Sequence, residues 1–114
     1  VVFLGGFLHE PNVDAVVWFL DEVWPRVAAA LPAATFVVYG GDLPTALAAR
    51  TDERVRMAGH VPTVEDVFAR ARLSVVPLRY GAGVKGKLVT ALVNGVAVVA
   101  TEVASPVRAR TTNW

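Results

Sequence analysis

The strongest constraint in this chain is the way its short apolar runs end. Val1–Leu4 runs into Gly5-Gly6, Thr35–Tyr39 into Gly40-Gly41, and Val55–Ala58 into Gly59. Leu73–Leu78 and Val96–Thr101 are two more runs of the same kind. They are almost wholly apolar rather than alternating, which is the pattern of strands buried on both faces of a parallel sheet. Between them lie stretches of helical periodicity. Val13, Val16, Val17, Leu20, Val23 and Val27 form the stripe of a helix packed on a sheet. Asn12 is expected to cap that helix, with Asp14 in its first turn, where negative charge is favoured. Pro25 lacks a backbone donor, so a kink or a fresh helical turn is expected near Trp24, and Pro32 ends the helix. Shorter helices are expected over Pro44–Arg50, from a Thr63 cap to about Ala71 with Glu65 and Asp66 in the first turn, and over Lys85–Asn94, stopped by Gly95.

Strands alternating with helices make a βαβ series. The expected fold is therefore α/β: an open parallel sheet of about five strands, in the order 3-2-1-4-5, with helices on both faces. Such a sheet explains why 54% of the 114 residues are hydrophobic. The longest uncharged stretch near the C-terminus, Leu88–Thr101, is too short and interrupted to span a bilayer. The absence of cysteine excludes a disulfide scaffold, a thiol nucleophile and a cysteine metal site. A net charge of +1 argues against nucleic acid or anionic lipid as partner. The chain starts directly on Val1 with no basic lead, so no signal peptide is expected, and a cytoplasmic location is. The expectation is a domain of residues 1–103 cut from a longer chain, followed by an irregular tail over 104–114.

In an open parallel sheet, ligands bind beyond the carboxyl ends of strands where the strand order reverses. The first and fourth strands are expected to flank that crevice. Their ends carry Gly5-Gly6-Phe7-Leu8-His9 and Arg79-Tyr80-Gly81-Ala82-Gly83-Val84-Lys85-Gly86-Lys87. Nine of the eleven basic residues are arginine, and the only two lysines stand together in the second segment. Glycines, a helix start, two lysines and an arginine make an anion site, and phosphate is its usual occupant. Leu88 follows Lys87, so there is no Walker-type lysine–hydroxyl pair. The first loop lacks Gly-x-Gly-x-x-Gly, so a dinucleotide cofactor is not supported.

The string Pro77–Lys87, followed by Ala91-Leu92 and Gly95–Thr101, resembles the donor-binding half of group-one glycosyltransferases of the GT-B fold. Gly5-Gly6 with Pro11–Ala15 resembles the opening strand and helix of that half, and Gly59-His60-Val61 the strand end near the nucleotide base. The similarity runs from about Val1 to Val103. It implies a Rossmann-like, C-terminal domain that binds a nucleotide-sugar donor as substrate and works with an N-terminal acceptor domain of the same parent chain. It also implies transfer of the sugar, with retention, to a hydroxyl of a glycan or similar acceptor, and no separate cofactor. On the resemblance, Gly6, Arg79, Gly83, Val84, Lys85 and Lys87 bind the donor diphosphate, and His60, Val61 and Thr90 the nucleoside. The acceptor-side chemistry belongs to the other domain, so the isolated chain is expected to be inert.

Two positions depart from the family pattern. Ala82 and Thr90 stand where its two glutamates often lie, and Thr90 offers the donor ribose only one hydroxyl. A second expectation therefore stays open: a degenerate, non-catalytic Rossmann-like module that associates through an exposed apolar edge. No His and carboxylate pair has metal-ligand spacing, so no metal is expected. Trp18 and Trp24 read as packing residues, and Asp21-Glu22 and Asp52-Glu53 as solvated surface. His9 reads as a loop residue at the crevice, and Ser74 as a strand residue without a nucleophile's partners.

Overall fold

A computed structural model of the chain describes residues 1–60, 63–80 and 93–101. Five strands form one parallel sheet: β1 (Val2–Leu4), β2 (Phe36–Tyr39), β3 (Val55–Gly59), β4 (Leu73–Val76) and β5 (Ala97–Ala100). Their order is β3-β2-β1-β4-β5, as the sequence leads one to expect. The order reverses between β1 and β4, where Val2 pairs with Ser74. The described helices are α1 (Glu10–Trp18), α2 (Trp24–Ala30), α3 (Thr45–Ala48) and α4 (Val64–Ala69). The expected helix over 85–94 and the tail over 104–114 lie outside the described residues, apart from positions 93 and 94.

Adjacent residues of β1, Val2 and Phe3, point to opposite faces and are both buried, so the sheet is covered on both sides. On one side Phe36 of β2 lies under the rings of Phe19 and Trp24, at centroid distances of 4.6 and 5.7 Å. This is the side of α1 and α2. The edge strand β5 departs from the expectation of burial on both faces. Val98 is buried, but Val99 is 52% exposed. Register places Val99 beside Val75, on the face opposite Ser74 and Val98.

The helical stripe forms with a fault at Pro25. Phe19–Val23 is a single π-helical turn, and the Trp24 N–H reaches back to the Phe19 carbonyl. A proline ring clashes with the carbonyl four residues earlier and offers it no proton. The wider turn absorbs both defects before α2 restarts at Trp24. Leu31, the residue before Pro32, leaves helical geometry with φ −127° and ψ 85°, as steric contact with the proline ring requires.

Three expectations about helix starts need correction. Helix α1 begins at Glu10, with His9 in the capping position and Pro11 in the first turn. Asn12 is therefore no cap; it is inside the helix and buried. Asp14 lies in the second turn, leaving Glu10 as the acid of the first. Thr63 does occupy the cap position of α4, ahead of Glu65 and Asp66, but its side chain makes no capping hydrogen bond.

Two acids read as plain surface have partners. Asp52 Oδ1 accepts the N–H groups of Arg54 and Val55 at 2.8 and 2.9 Å, a turn that launches β3. Asp21 pairs with Arg50 at 2.7 Å, an exposed contact of small weight. Arg54 itself closes the end of α2. Its guanidinium donates to the carbonyls of Ala28, Leu31 and Ala34 and lies 5.6 Å from the Trp24 ring centroid. One fork thus supplies donors to carbonyls at and just beyond the helix end.

The carboxyl ends of β1, β2 and β3 are bound together by backbone alone. Gly5 N–H donates to Tyr39, Phe7 N–H to Gly41, and Gly40 N–H to Gly59, at 3.0, 3.1 and 2.7 Å. Gly40 is packed so closely that a Cβ there would stand 1.7 Å from the Gly5 carbonyl oxygen. Gly59 ends β3 with φ +74°, a conformation that other residues adopt only under strain.

These contacts make two predictions for urea unfolding. Gly40→Ala costs about 3 kcal/mol or more, because only backbone movement relieves the clash. Gly41→Ala, whose Cβ meets nothing nearer than His60 Nδ1 at 4.0 Å, stays within about 0.5 kcal/mol of wild type. Arg54→Met loses about 2 kcal/mol, and Arg54→Lys recovers only part, since an ammonium cannot span three carbonyls. Equal stability of the two glycine variants, or full recovery by lysine, contradicts these assignments.

Candidate functional site

The crevice where the strand order reverses is bounded by the loop after β1 and the exit from β4. The β1 loop is held from below. Asn12 reaches back from α1, and its Nδ2 donates to the Gly6 carbonyl at 2.7 Å. Gly5 is buried and bonded to β2, whereas Gly6, Leu8 and His9 are exposed. The loop thus has a fixed base and an open crest. A Cβ at Gly6 would meet nothing within 4 Å, so this residue faces open space in the crevice region.

The exit from β4 is held from three directions. Leu78 is buried, and its carbonyl accepts the Thr101 hydroxyl from beyond β5. Arg79 turns onto α1. Its Nε donates to Asp14 Oδ2 at 2.9 Å, its Nη2 donates to Asp14 Oδ1, and its guanidinium carbon lies 6.0 Å from the Trp18 ring centroid. The Tyr80 hydroxyl donates to Glu10 Oε1 at 3.2 Å. Glu10, Asp14 and Trp18 are spaced by four residues, so one stripe of α1 receives two consecutive residues of the β4 exit. Below Arg79, a groove of about 550 Å³ continues along this flank between Trp18, Glu22, Val23, Arg26 and Val27.

The electrostatics follow from these contacts. The hydrogen bonds from Arg79 hold the Asp14 carboxyl below its ordinary value of 3.8, more than partial burial raises it, and the arginine charge adds to the lowering. The same hydrogen bonding raises Arg79, which stays a cation throughout. Tyr80 is raised by desolvation first and by the Glu10 charge second, so its phenol is a donor at neutral pH.

The structure brings together some of the residues expected from sequence. Gly6 and Arg79 flank the reversal point, just beyond the carboxyl ends of β1 and β4 respectively. His60 lies farther along the same carboxyl edge, past β2, with its Nδ1 4.0 Å from the place a Gly41 Cβ would take. His9 is exposed at the start of α1. Val61, Gly83, Val84, Lys85, Lys87 and Thr90 lie outside the described residues. Trp24 is a packing residue; Trp18 is partly buried and also carries Arg79. Sequence reading missed the tie from Asn12 to Gly6 and the pairing of Asp14 with Arg79. The first has a faint signal, an amide side chain near a Gly-Gly turn. The second joins residues 65 apart, and periodicity carries no signal for that. Among the described residues, no group of three or more His, Asp or Glu could hold a metal ion, and no helix is long and apolar enough to cross a membrane.

The lowered Asp14 value fixes the pH behaviour of the pair. A carboxylate whose folded value is depressed contributes stability that is fully present above 3.8 and is lost as pH falls through the folded value. Carbon-13 titration of the Asp14 carboxyl is expected to give a midpoint below 3.8, and Arg79→Gln to move it upward. A wild-type midpoint at or above 3.8 contradicts the pairing. Separately, Asn12→Asp sets a carboxylate against the Gly6 carbonyl and destabilises the fold by about 2 kcal/mol at pH 7, measured by urea unfolding, with the loss shrinking as that carboxyl is protonated at lower pH.

Comparison with known proteins adds a family to this geometry. No curated protein and no solved structure matches the chain. The family model described as Glycosyl transferases group 1 matches residues 1–112, nearly the full length. A parallel sheet in the order 3-2-1-4-5, with a glycine loop at its reversal point, accords with that match. The chain belongs to the group 1 glycosyl transferases.

Proposed function

We propose that this chain is the donor-binding part of a GT-B glycosyltransferase and takes a nucleotide-diphosphate sugar at the carboxyl edge of its sheet. The observation that carries the reading is the crevice between β1 and β4, with an exposed Gly6 whose loop is fixed by Asn12. Ligands of open parallel sheets bind at such reversal points. The family match adds sugar transfer as the chemistry. In this reading Gly6, Gly83, Val84, Lys85 and Lys87 hold the diphosphate. His60, Val61 and Thr90 face the nucleoside. Arg79 was expected beside the lysines, but in this structure Asp14 holds it, and its role is taken up below.

The contribution of this half is electrostatic. Negative charge grows on the leaving nucleoside diphosphate as the sugar departs, and cations already in place stabilise it without reorganising. The acceptor hydroxyl and any group that deprotonates it belong to a separate N-terminal domain of the parent chain. The chain alone then binds the donor without turning it over, and the full enzyme transfers the sugar with retention. A second reading has one observation in its favour. Val99 of the edge strand β5 is 52% exposed, and a non-catalytic module would use such an apolar residue to associate.

Titration of UDP and GDP, followed by amide NMR, separates the two. Shifts at Gly5–His9, His60 and Tyr80 with at least one nucleotide are expected, and Lys85→Ala/Lys87→Ala should weaken binding by tenfold or more, on the order of two charged contacts. No shift with either nucleotide favours the module instead. Sugar transfer by the chain alone, above that double variant, overturns the claim of inertness.

A further inference from the structure

We infer that Asp14 is a positioning residue of the donor crevice: it holds the Nε and Nη2 edge of Arg79 as a strut between α1 and the exit of β4, closing that edge to the donor phosphates. The inference rests on the donor reading above and goes beyond it by assigning a role to Asp14 and withdrawing the Nε and Nη2 edge of Arg79 from the phosphate site.

The geometry of the pair carries the first step. Two adjacent guanidinium nitrogens, Nε and Nη2, meet the two carboxylate oxygens of one aspartate. That fork-to-fork arrangement is directional as well as charged, and it fixes the orientation of both groups. The Trp18 ring lies beside the guanidinium as a third contact. The neighbouring Tyr80 is held to Glu10 of the same helix. A phosphate could take the Nε and Nη2 edge of Arg79 only by displacing Asp14. The displaced carboxylate would then stand unpaired beside a dianion, an arrangement that works against binding.

The second step is the placement of the two ties. Asn12 and Asp14 are two residues apart on α1, so their side chains leave the helix about 200° apart. Asn12 reaches the loop after β1 at Gly6. Asp14 reaches the exit of β4 at Arg79. Two consecutive turns of one helix therefore hold both walls of the crevice. The separation of Gly6 from Arg79 is set by a helix rather than by either loop.

The test uses the full chain and has a sign. Wild type, Asp14→Asn, Arg79→Gln and the exchanged pair Asp14→Arg/Arg79→Asp are titrated with UDP and GDP and with uridine and guanosine. A strut predicts that Asp14→Asn weakens diphosphate binding by about tenfold through lost positioning, leaves nucleoside binding unchanged, and is rescued in the exchanged pair. Tighter diphosphate binding by Asp14→Asn overturns the inference, because it shows Arg79 to be a phosphate ligand once released. Equal loss for nucleoside and diphosphate, no effect, or failure of the exchanged pair to rescue also overturns it. A separate readout needs no nucleotide. The Arg79 Nε–H should exchange slowly with water, as the carbonyl-bound Nε–H of Arg54 should, and not rapidly as expected for exposed Arg26. Fast exchange at Arg79 removes the strut whatever binds. Slow exchange at Arg79 with no binding of UDP or GDP by wild type sinks the donor reading, and the positioning role falls with it.

Discussion

The contact on which the rest of the sheet depends is the approach of Gly40 to the Gly5 carbonyl. Two strand ends meet there with no space for a side chain between them. Because Gly40 carries no Cβ, the loops after β1 and β2 can lie against each other and exchange backbone hydrogen bonds with β3. Backbone groups that would otherwise lie buried without partners are satisfied in this way. The consequence is mechanical. The carboxyl edge, where strands usually fray into loops, is continued for two more residues as an ordered crest. A binding site that uses backbone N–H groups needs such a base, since a frayed loop would lose the ordering entropy at each encounter.

Helix α1 turns that base into a crevice. Its amino-terminal turns lie at the crest, and its polar residues point to both sides. Asn12 is buried against the β1 loop, while Glu10 and Asp14 receive Tyr80 and Arg79. The π-helical turn at Phe19–Val23 sits at the far end of this helical stretch. The distortion demanded by Pro25 is therefore kept a full helix away from the crevice. At that turn, Phe19 and Trp24 pack on Phe36 and hold the helical unit to β2.

The sheet was legible in the sequence because its causes are local. Apolar runs closed by glycine, helical stripes between them and right-handed crossovers leave few topologies, and Val1–Gly5, Thr35–Tyr39 and Leu73–Leu78 each contain the strand they suggest. The candidate site was legible only where local chemistry marks it, as at Gly6. Asn12 misled because the same residue type that caps helices also bonds to loops, and one sequence position does not distinguish an amide at a helix start from one three residues into it. Arg54 and the Asp14–Arg79 pair were hidden for another reason. Each depends on where distant segments meet, and a surface arginine in sequence looks the same whether it bonds to carbonyls, to a carboxylate or to water.

That last point gives the uneven use of the two basic residues a physical basis. Among the described residues, Arg50 pairs with Asp21, Arg54 with three carbonyls and Arg79 with Asp14. Each task suits a planar fork with fixed donor directions and a charge that never titrates away. Lysine is poor at such work, being a point charge on a flexible stem, and the same properties suit it to follow a phosphate through a reaction in which charge moves between oxygens. Lys85 and Lys87 stand six and eight residues beyond Arg79 in the sequence, and on the donor reading this division of labour leaves lysine for the ligand.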